Sequence, residues 1–160
     1  NFNEFGWIPG EGRNRLWFMS EKSGYGHLHV SDAPGQATAL TSGKWEVSSP
    51  LLAPDGTRFL FTCNRAWPGD YEVCAVPVRG GDVRELTSLD GVEDFALAPD
   101  GKQLLVRHSD SYLPPQLAVV DANGAARELT DTRSAQFKSV DWIMPEIVKV
   151  PSSDGAGPIW

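Results

Sequence analysis

Apolar and polar positions alternate with a period of two along short stretches of this chain, and the stretches return at a fixed interval. Two positions before Pro9, Pro54 and Pro99 stand Trp7, Leu52 and Leu97, and four before stand Phe5, Pro50 and Phe95. That is the pattern of a half-buried strand running into a tight turn. Pro54-Asp55-Gly56 recurs 45 residues later as Pro99-Asp100-Gly101, and Pro9-Gly10 lies 45 residues before the first. A second marker, Leu-Thr, stands at Leu40-Thr41, Leu86-Thr87 and Leu129-Thr130, spaced 46 and 43 apart. Two independent markers therefore share one period.

Within each period the elements also repeat. After the first turn comes an apolar run: Leu16 to Met19, Phe59 to Phe61, then Leu104 to Val106. A polar loop with Gly or Pro follows, and then a third strand at His27 to Val30, Tyr71 to Val78, and Gln116 to Val120. A second turn at Pro34-Gly35, Gly80-Gly81 or Asn123-Gly124 supplies residues that tolerate positive φ. The fourth strand is expected to carry Leu-Thr. Four short antiparallel strands per repeat of about 40 to 45 residues is the arithmetic of a β-propeller blade.

The predicted fold class is therefore all-β: a partial propeller of about three four-stranded antiparallel blades, at 2–41, 45–87 and 92–130, plus a short strand tail. The stretch from Ser134 to Ile143 would either open a fourth blade or cross out of the propeller, so 1–143 is read as propeller and 144–160 as a crossover strand. Propellers close with about four to eight blades, so three leave aromatic end faces uncovered and self-association is expected. The absent initiator Met and the stop at Trp160 in mid-strand suggest a piece of something longer.

Composition narrows the functions. With net charge −7 and only 14 Lys and Arg, the chain lacks the clustered cations of a nucleic-acid binder. No apolar run approaches the roughly 20 residues of a membrane-spanning helix, and the first residues, Asn1 to Glu4, are neither basic nor the apolar region of a signal peptide.

Longer motifs carry a family likeness. Ser20-Glu21-Lys22-Ser23-Gly24-Tyr25-Gly26-His27-Leu28, followed by Leu40-Thr41-Ser42-Gly43-Lys44-Trp45-Glu46-Val47, resembles a late propeller blade of the prolyl oligopeptidase family of serine peptidases, in its dipeptidyl peptidase IV-like branch. Pro114-Pro115 after His108 to Leu113 is similar to the segment of the final blade. Pro145 to Gly155 resembles the strand and turn by which such chains enter an α/β-hydrolase domain. The resemblance covers essentially the whole chain. It implies a propeller that gates and positions peptide substrates for the chain's own hydrolase domain, a partner beginning about where this sequence stops, and a periplasmic or secreted setting. The alternative is a non-enzymatic Tol-type or WD-type propeller that only binds proteins.

Candidate chemistry is sparse. The sequence contains no Gly-x-Ser-x-Gly, so no nucleophile elbow lies here and no catalytic residue is assigned. The family's paired-Glu motif for a substrate amino terminus is also missing, because Glu-Glu does not occur. His108 and Asp110, two apart, read as a surface hydrogen-bonding pair. His27 and His29 share a strand face, but a zinc site needs three or four ligands, so neither a metal nor a cofactor is expected. As part of the family motif, His27 is expected to make a structural hydrogen bond within its blade. Trp7, Trp17 and Trp45 are expected in the core. Tyr25, Trp67 and Tyr112 fall in loops between second and third strands, which emerge on one face, and are the candidates for lining a substrate surface.

Cys63 and Cys74 lie on one hairpin. If it turns symmetrically about Pro68-Gly69, Cys63 opposes Cys74, Phe61 opposes Val76 and Phe59 opposes Val78, all on one apolar face. A cross-strand disulfide and two buried thiols are both open. The awkward geometry of directly opposed strand positions favours the thiols.

Overall fold

The computed structural model describes residues 4–10, 15–89, 91–146, 148–153, 155 and 158–159. Their strands form three four-stranded antiparallel sheets, each in simple sequence order. The first holds β1 (Phe5–Ile8), β2 (Arg15–Ser20), β3 (His27–Ser31) and β4 (Ala37–Ala39). The second holds β5 (Val47–Leu52), β6 (Arg58–Cys63), β7 (Glu72–Pro77) and β8 (Arg84–Glu85). The third holds β9 (Val92–Leu97), β10 (Leu104–Asp110), β11 (Leu113–Val120) and β12 (Ala126–Glu128). These are three blades of a propeller, as the repeat predicts.

The repeated motifs have identifiable work. In each Pro-Asp-Gly turn the Asp carboxylate accepts the backbone N–H two residues on, Thr57 on Asp55 and Lys102 on Asp100, each at 3.0 Å. The glycine takes positive φ, 67° at Gly56 and 71° at Gly101, where a Cβ would be strained.

Leu-Thr does not lie in the fourth strand as expected. The fourth strands end at Ala39, Glu85 and Glu128, just before the Leu. The Leu N–H then reaches the third strand's carbonyl (Leu40 to Leu28 at 2.8 Å, Leu86 to Val73 and Leu129 to Leu117 at 2.7 Å). The Thr hydroxyl oxygen accepts the N–H of that same residue, at 3.0, 2.8 and 2.9 Å. A threonine side chain thus replaces the last rung of the ladder.

Two apolar seams hold the sheets together. Ile8, Met19, Leu28 and Val30 pack against Phe59, Phe61, Cys63, Cys74, Val76 and Val78, with Trp17 edge-on to Phe59 at 5.4 Å. Leu60 and Val73, from the opposite face of the second sheet, pack against Leu104, Val106 and Val120. Burying a Phe or Leu side chain contributes about 2 to 3 kcal/mol, so the second sheet, covered on both faces, is the anchor. Main-chain bonds also tie neighbouring sheets. Val47 N–H donates to Gly26 O at 2.9 Å, Tyr71 N–H to Gly91 O at 2.9 Å, and Glu93 N–H to Tyr71 O at 3.2 Å.

Trp7 is not core. It is 65% exposed and Phe5 is 70% exposed, because among the described residues no sheet covers the far face of the first one. Trp17 and Trp45 are partly buried against the first seam.

The Cys hairpin differs in register from the symmetric reading. Cys63 opposes Glu72, Phe61 opposes Cys74 and Phe59 opposes Val76. The tight turn, closed by Asp70 N–H on Trp67 O, is entered through the extra residues Arg65 and Ala66, which moves the pairing by two positions. Cys63 and Cys74 therefore sit diagonally on the shared face, with Cα atoms 6.2 Å apart, and are joined as a disulfide. That separation lies within the ordinary disulfide range, and the expectation of two thiols rested on the wrong register.

Beyond Thr130 the described residues form no further four-stranded sheet. Ser134 caps a single helical turn, α1 (Ala135–Lys138), by accepting the Phe137 N–H at 3.1 Å. β13 (Val150–Pro151) pairs with β14 (Pro158–Ile159) as a minimal hairpin. Part of the predicted exit strand and its turn, at Ile147 and Asp154, and the terminal Trp160 lie outside the described residues. No described helix is long and apolar enough to cross a membrane.

Candidate functional site

Tyr25, Trp67 and Tyr112 all stand in the connections between second and third strands, each in a different local setting. Tyr25 is half-buried in the loop before β3, and its carbonyl accepts from Ser23 Oγ at 3.3 Å. Tyr112, in the short turn between β10 and β11, stacks on Trp142 at 4.8 Å, which leans in turn on Phe137. Tyr112 is thus engaged by the tail segment.

Trp67 borders a cavity. Its ring lies directly over Gly69, where any Cβ would collide with it. With Asp70, Gly91, Val92 and the Ser109 to Ser111 segment it encloses about 440 Å3 between the second and third blades. Asp70 Oδ1 accepts Gly91 N–H at 3.1 Å, and Asp110 Oδ1 accepts Ser111 N–H at 2.6 Å. An aromatic wall beside two carboxylates and two hydroxyls suits a cationic or N–H-bearing group and disfavours an anion. The sequence pointed to Trp67; it did not point to Asp70, and it paired Asp110 with His108. A register shift between His108 and Asp110 breaks that pairing. His108 turns inward, 5% exposed, with Nε2 2.9 Å from Glu128 Oε1 though not aligned as a hydrogen bond.

A larger cavity of about 620 Å3 opens at the opposite rim of the same two blades, among the turns. Arg58, Arg84 and Lys102 line it with Asp82, Glu85 and Asp121, so it has no net sign to select a ligand.

Beneath the Trp67 cavity lies a buried polar cluster that sequence reasoning missed. At equivalent positions in the three third strands, one residue before Leu28, Val73 and Leu117, stand His27, Glu72 and Gln116, all buried. Each meets the Thr of its own blade's Leu-Thr. His27 places Nδ1 3.0 Å from Thr41 Oγ1 and Nε2 3.0 Å from Gly43 O. A carbonyl only accepts, so in the neutral ring Nε2 carries the proton and Nδ1 receives the threonine's. This is a structural role within the blade. Gln116 Oε1 accepts from Thr130 at 2.9 Å, and its Nε2 donates to Pro114 O at 2.8 Å. Glu72 differs. Thr87 Oγ1 lies 2.6 Å from Glu72 Oε2 and 2.5 Å from Glu93 Oε2, and Val73 N–H reaches both Thr87 Oγ1 and Glu93 Oε2.

Burial pushes the Glu93 carboxyl up to about 8, with the neighbouring Glu72 adding to the rise against the Thr87 hydrogen bond. Burial also raises Glu72, and the Asp70 charge raises it further. A signal was present in the sequence: a polar residue one position before an apolar strand, 14 or 15 residues ahead of each Leu-Thr threonine. Among the described residues no cluster of three or more His, Cys, Asp or Glu could hold a metal.

The fold and its repeating locks define a partial β-propeller, and the comparisons specify which kind. Residues 2–115 match the family model described as the dipeptidyl peptidase IV (DPP IV) N-terminal region, and the chain belongs to that family. A crystal structure of Porphyromonas gingivalis dipeptidyl peptidase 4 superposes with a TM-score of 0.74 over 94% of this chain, at 19% identity. The chain spans 22% of the length of that solved structure.

Proposed function

We propose that this propeller segment belongs to a serine exopeptidase of the dipeptidyl peptidase IV kind, and that it gates and positions peptide chain ends for a separate hydrolase domain. The family match over residues 2–115 carries the reading. The absence of a Gly-x-Ser-x-Gly motif from the sequence agrees with chemistry located elsewhere in the parent protein. A rigid scaffold that holds a peptide end in register shifts much of the entropic cost of reaction into binding. The Trp67 cavity, on the loop face between two blades, offers a π face and carboxylates to such a peptide.

The test is kinetic. In the parent protein, Trp67→Ala is expected to raise KM for peptide substrates several-fold with little change in kcat, as for a residue that binds and does not react. The 160-residue chain alone is expected to release nothing from a chromogenic dipeptide substrate. Turnover by the pure chain would place the active site here and overturn the reading. Unchanged kinetics in Trp67→Ala would remove the cavity from it.

A further inference from the structure

We propose that Glu72, Thr87 and Glu93 form a proton-held latch that closes the first strand of the third blade onto the second and thereby fixes the Trp67 cavity above it. Thr87 Oγ1 has three close partners: Val73 N at 2.8 Å, Glu72 Oε2 at 2.6 Å and Glu93 Oε2 at 2.5 Å. The amide donates to the oxygen, and the hydroxyl has one proton to give. One carboxylate receives it. The other short oxygen–oxygen contact would then join two acceptors, unless that carboxyl is itself protonated and donates back to Thr87. The geometry thus requires one proton shared by the two carboxyls.

The surroundings offer no substitute for it. Neither Glu72 nor Glu93 has an ion-pair partner among the described residues. Preceding β7, Asp70 adds negative charge. From β10, the cross-strand neighbour of Glu93 is His108, which faces Glu128 of β12. From β11, Gln116 is neutral and fully engaged. Asp94 and Arg107 pair with each other on the exposed side of their strands. The equivalent positions in the other blades hold His27 and Gln116, neither of them a carboxylate, and each hydrogen-bonds its own threonine. Glu93 Oε1 and both His108 ring nitrogens are the buried side-chain polar atoms without a hydrogen bond among the described residues. All three lie at one level of the seam, since Glu93 and His108 are paired in register.

The latch closes specific bonds. Glu93 Oε2 takes the Val73 N–H, Glu93 N–H donates to Tyr71 O, and Tyr71 N–H donates to Gly91 O. Gly91 and Val92, immediately before Glu93, are walls of the cavity. When base removes the proton, water or hydroxide carries it away and two carboxylates face each other across the seam. Repulsion and the demand for hydration then favour separating β9 from Tyr71 and Val73.

The sign follows. The folded carboxyl holds its proton to about pH 8, whereas an unfolded Glu releases it near pH 4.3. Closure is strongest below that lower value and is lost as pH rises through the upper one. Infrared difference spectra of the full-length protein at pH 7 should show a buried protonated carboxyl that titrates away toward pH 9 and is absent in Glu93→Gln. Hydrogen exchange, corrected for intrinsic rates, should lose about tenfold protection at the Tyr71, Val73 and Glu93 amides per pH unit above the transition. Glu93→Gln should flatten that dependence, and Glu72→Gln, which also removes one of the two charges, serves if the first variant fails to fold. A wild type without a protonated carboxyl at pH 7, or with pH-independent protection at these amides, overturns the proposal. Neither readout depends on peptidase activity, so the latch and the functional reading fail separately.

Discussion

Replacing Thr41 by Val tests the Leu-Thr lock at its most buried copy. The substitution keeps the shape and exchanges a hydroxyl for a methyl. Thr41 is 3% exposed, and its oxygen accepts the Leu28 N–H while its hydroxyl serves His27 Nδ1, both at 3.0 Å. An unpaired buried amide costs about 1 to 3 kcal/mol, and losing the bond to His27 adds about 1, so the local loss should be about 2 to 4 kcal/mol. In hydrogen exchange this is about a 30- to 700-fold loss of protection at Leu28 and Leu40, at about 1.4 kcal/mol per factor of ten. Thr41→Ser, which keeps the oxygen, should recover most of it. Thr130→Val makes the same chemical change where the side chain is only half-buried, and water can replace the hydroxyl. Its cost should stay under about 1 kcal/mol. A Thr41→Val loss below about 1 kcal/mol, or equal losses at the two sites, would refute the view that the motif recurs because it completes a buried ladder.

Two further outcomes follow from other parts of the fold. Under denaturing conditions without reductant, thiol titration should find no free Cys, and Cys63→Ser with Cys74→Ser should lower hairpin stability by about 2 to 3 kcal/mol, the chain-entropy value for a loop of this separation; one or more free thiols would refute the bond. Gly91→Ala places a Cβ against the Ser109 carbonyl at φ 101°, so it should destabilise the contact between second and third blades by more than about 2 kcal/mol and weaken whatever the Trp67 cavity holds. Wild-type-like melting and ligand binding in this variant would count against the close approach.

The blades were legible because their signals are local. A Pro-Asp-Gly turn and a period-two run each depend on a few neighbouring residues, and they recur. The Cys hairpin was misjudged because register depends on where the loop begins to bend, and Arg65-Ala66 lie on only one side of the Trp67–Asp70 turn. Trp7 is exposed against expectation because alternation shows that a residue points to a face without showing that the face is covered. His108 is buried although its two-residue spacing from Asp110 implies a surface pair, because the register shift between them leaves no trace in that spacing. The Glu72–Glu93 pair joins different blades, 21 residues apart, so only the assembled seam reveals it.

The outermost strands β4, β8 and β12 run for only three, two and three residues, with every residue exposed. Threonine side chains occupy the third-strand amides that a longer fourth strand would have bonded. Each blade therefore presents almost no regular row of free backbone donors along its rim, and a foreign strand finds little to zip onto. Along this outer rim edge pairing between copies is disfavoured, and the exposed faces of Phe5 and Trp7 offer a different mode of contact, one that mild detergent or one added charge should suppress.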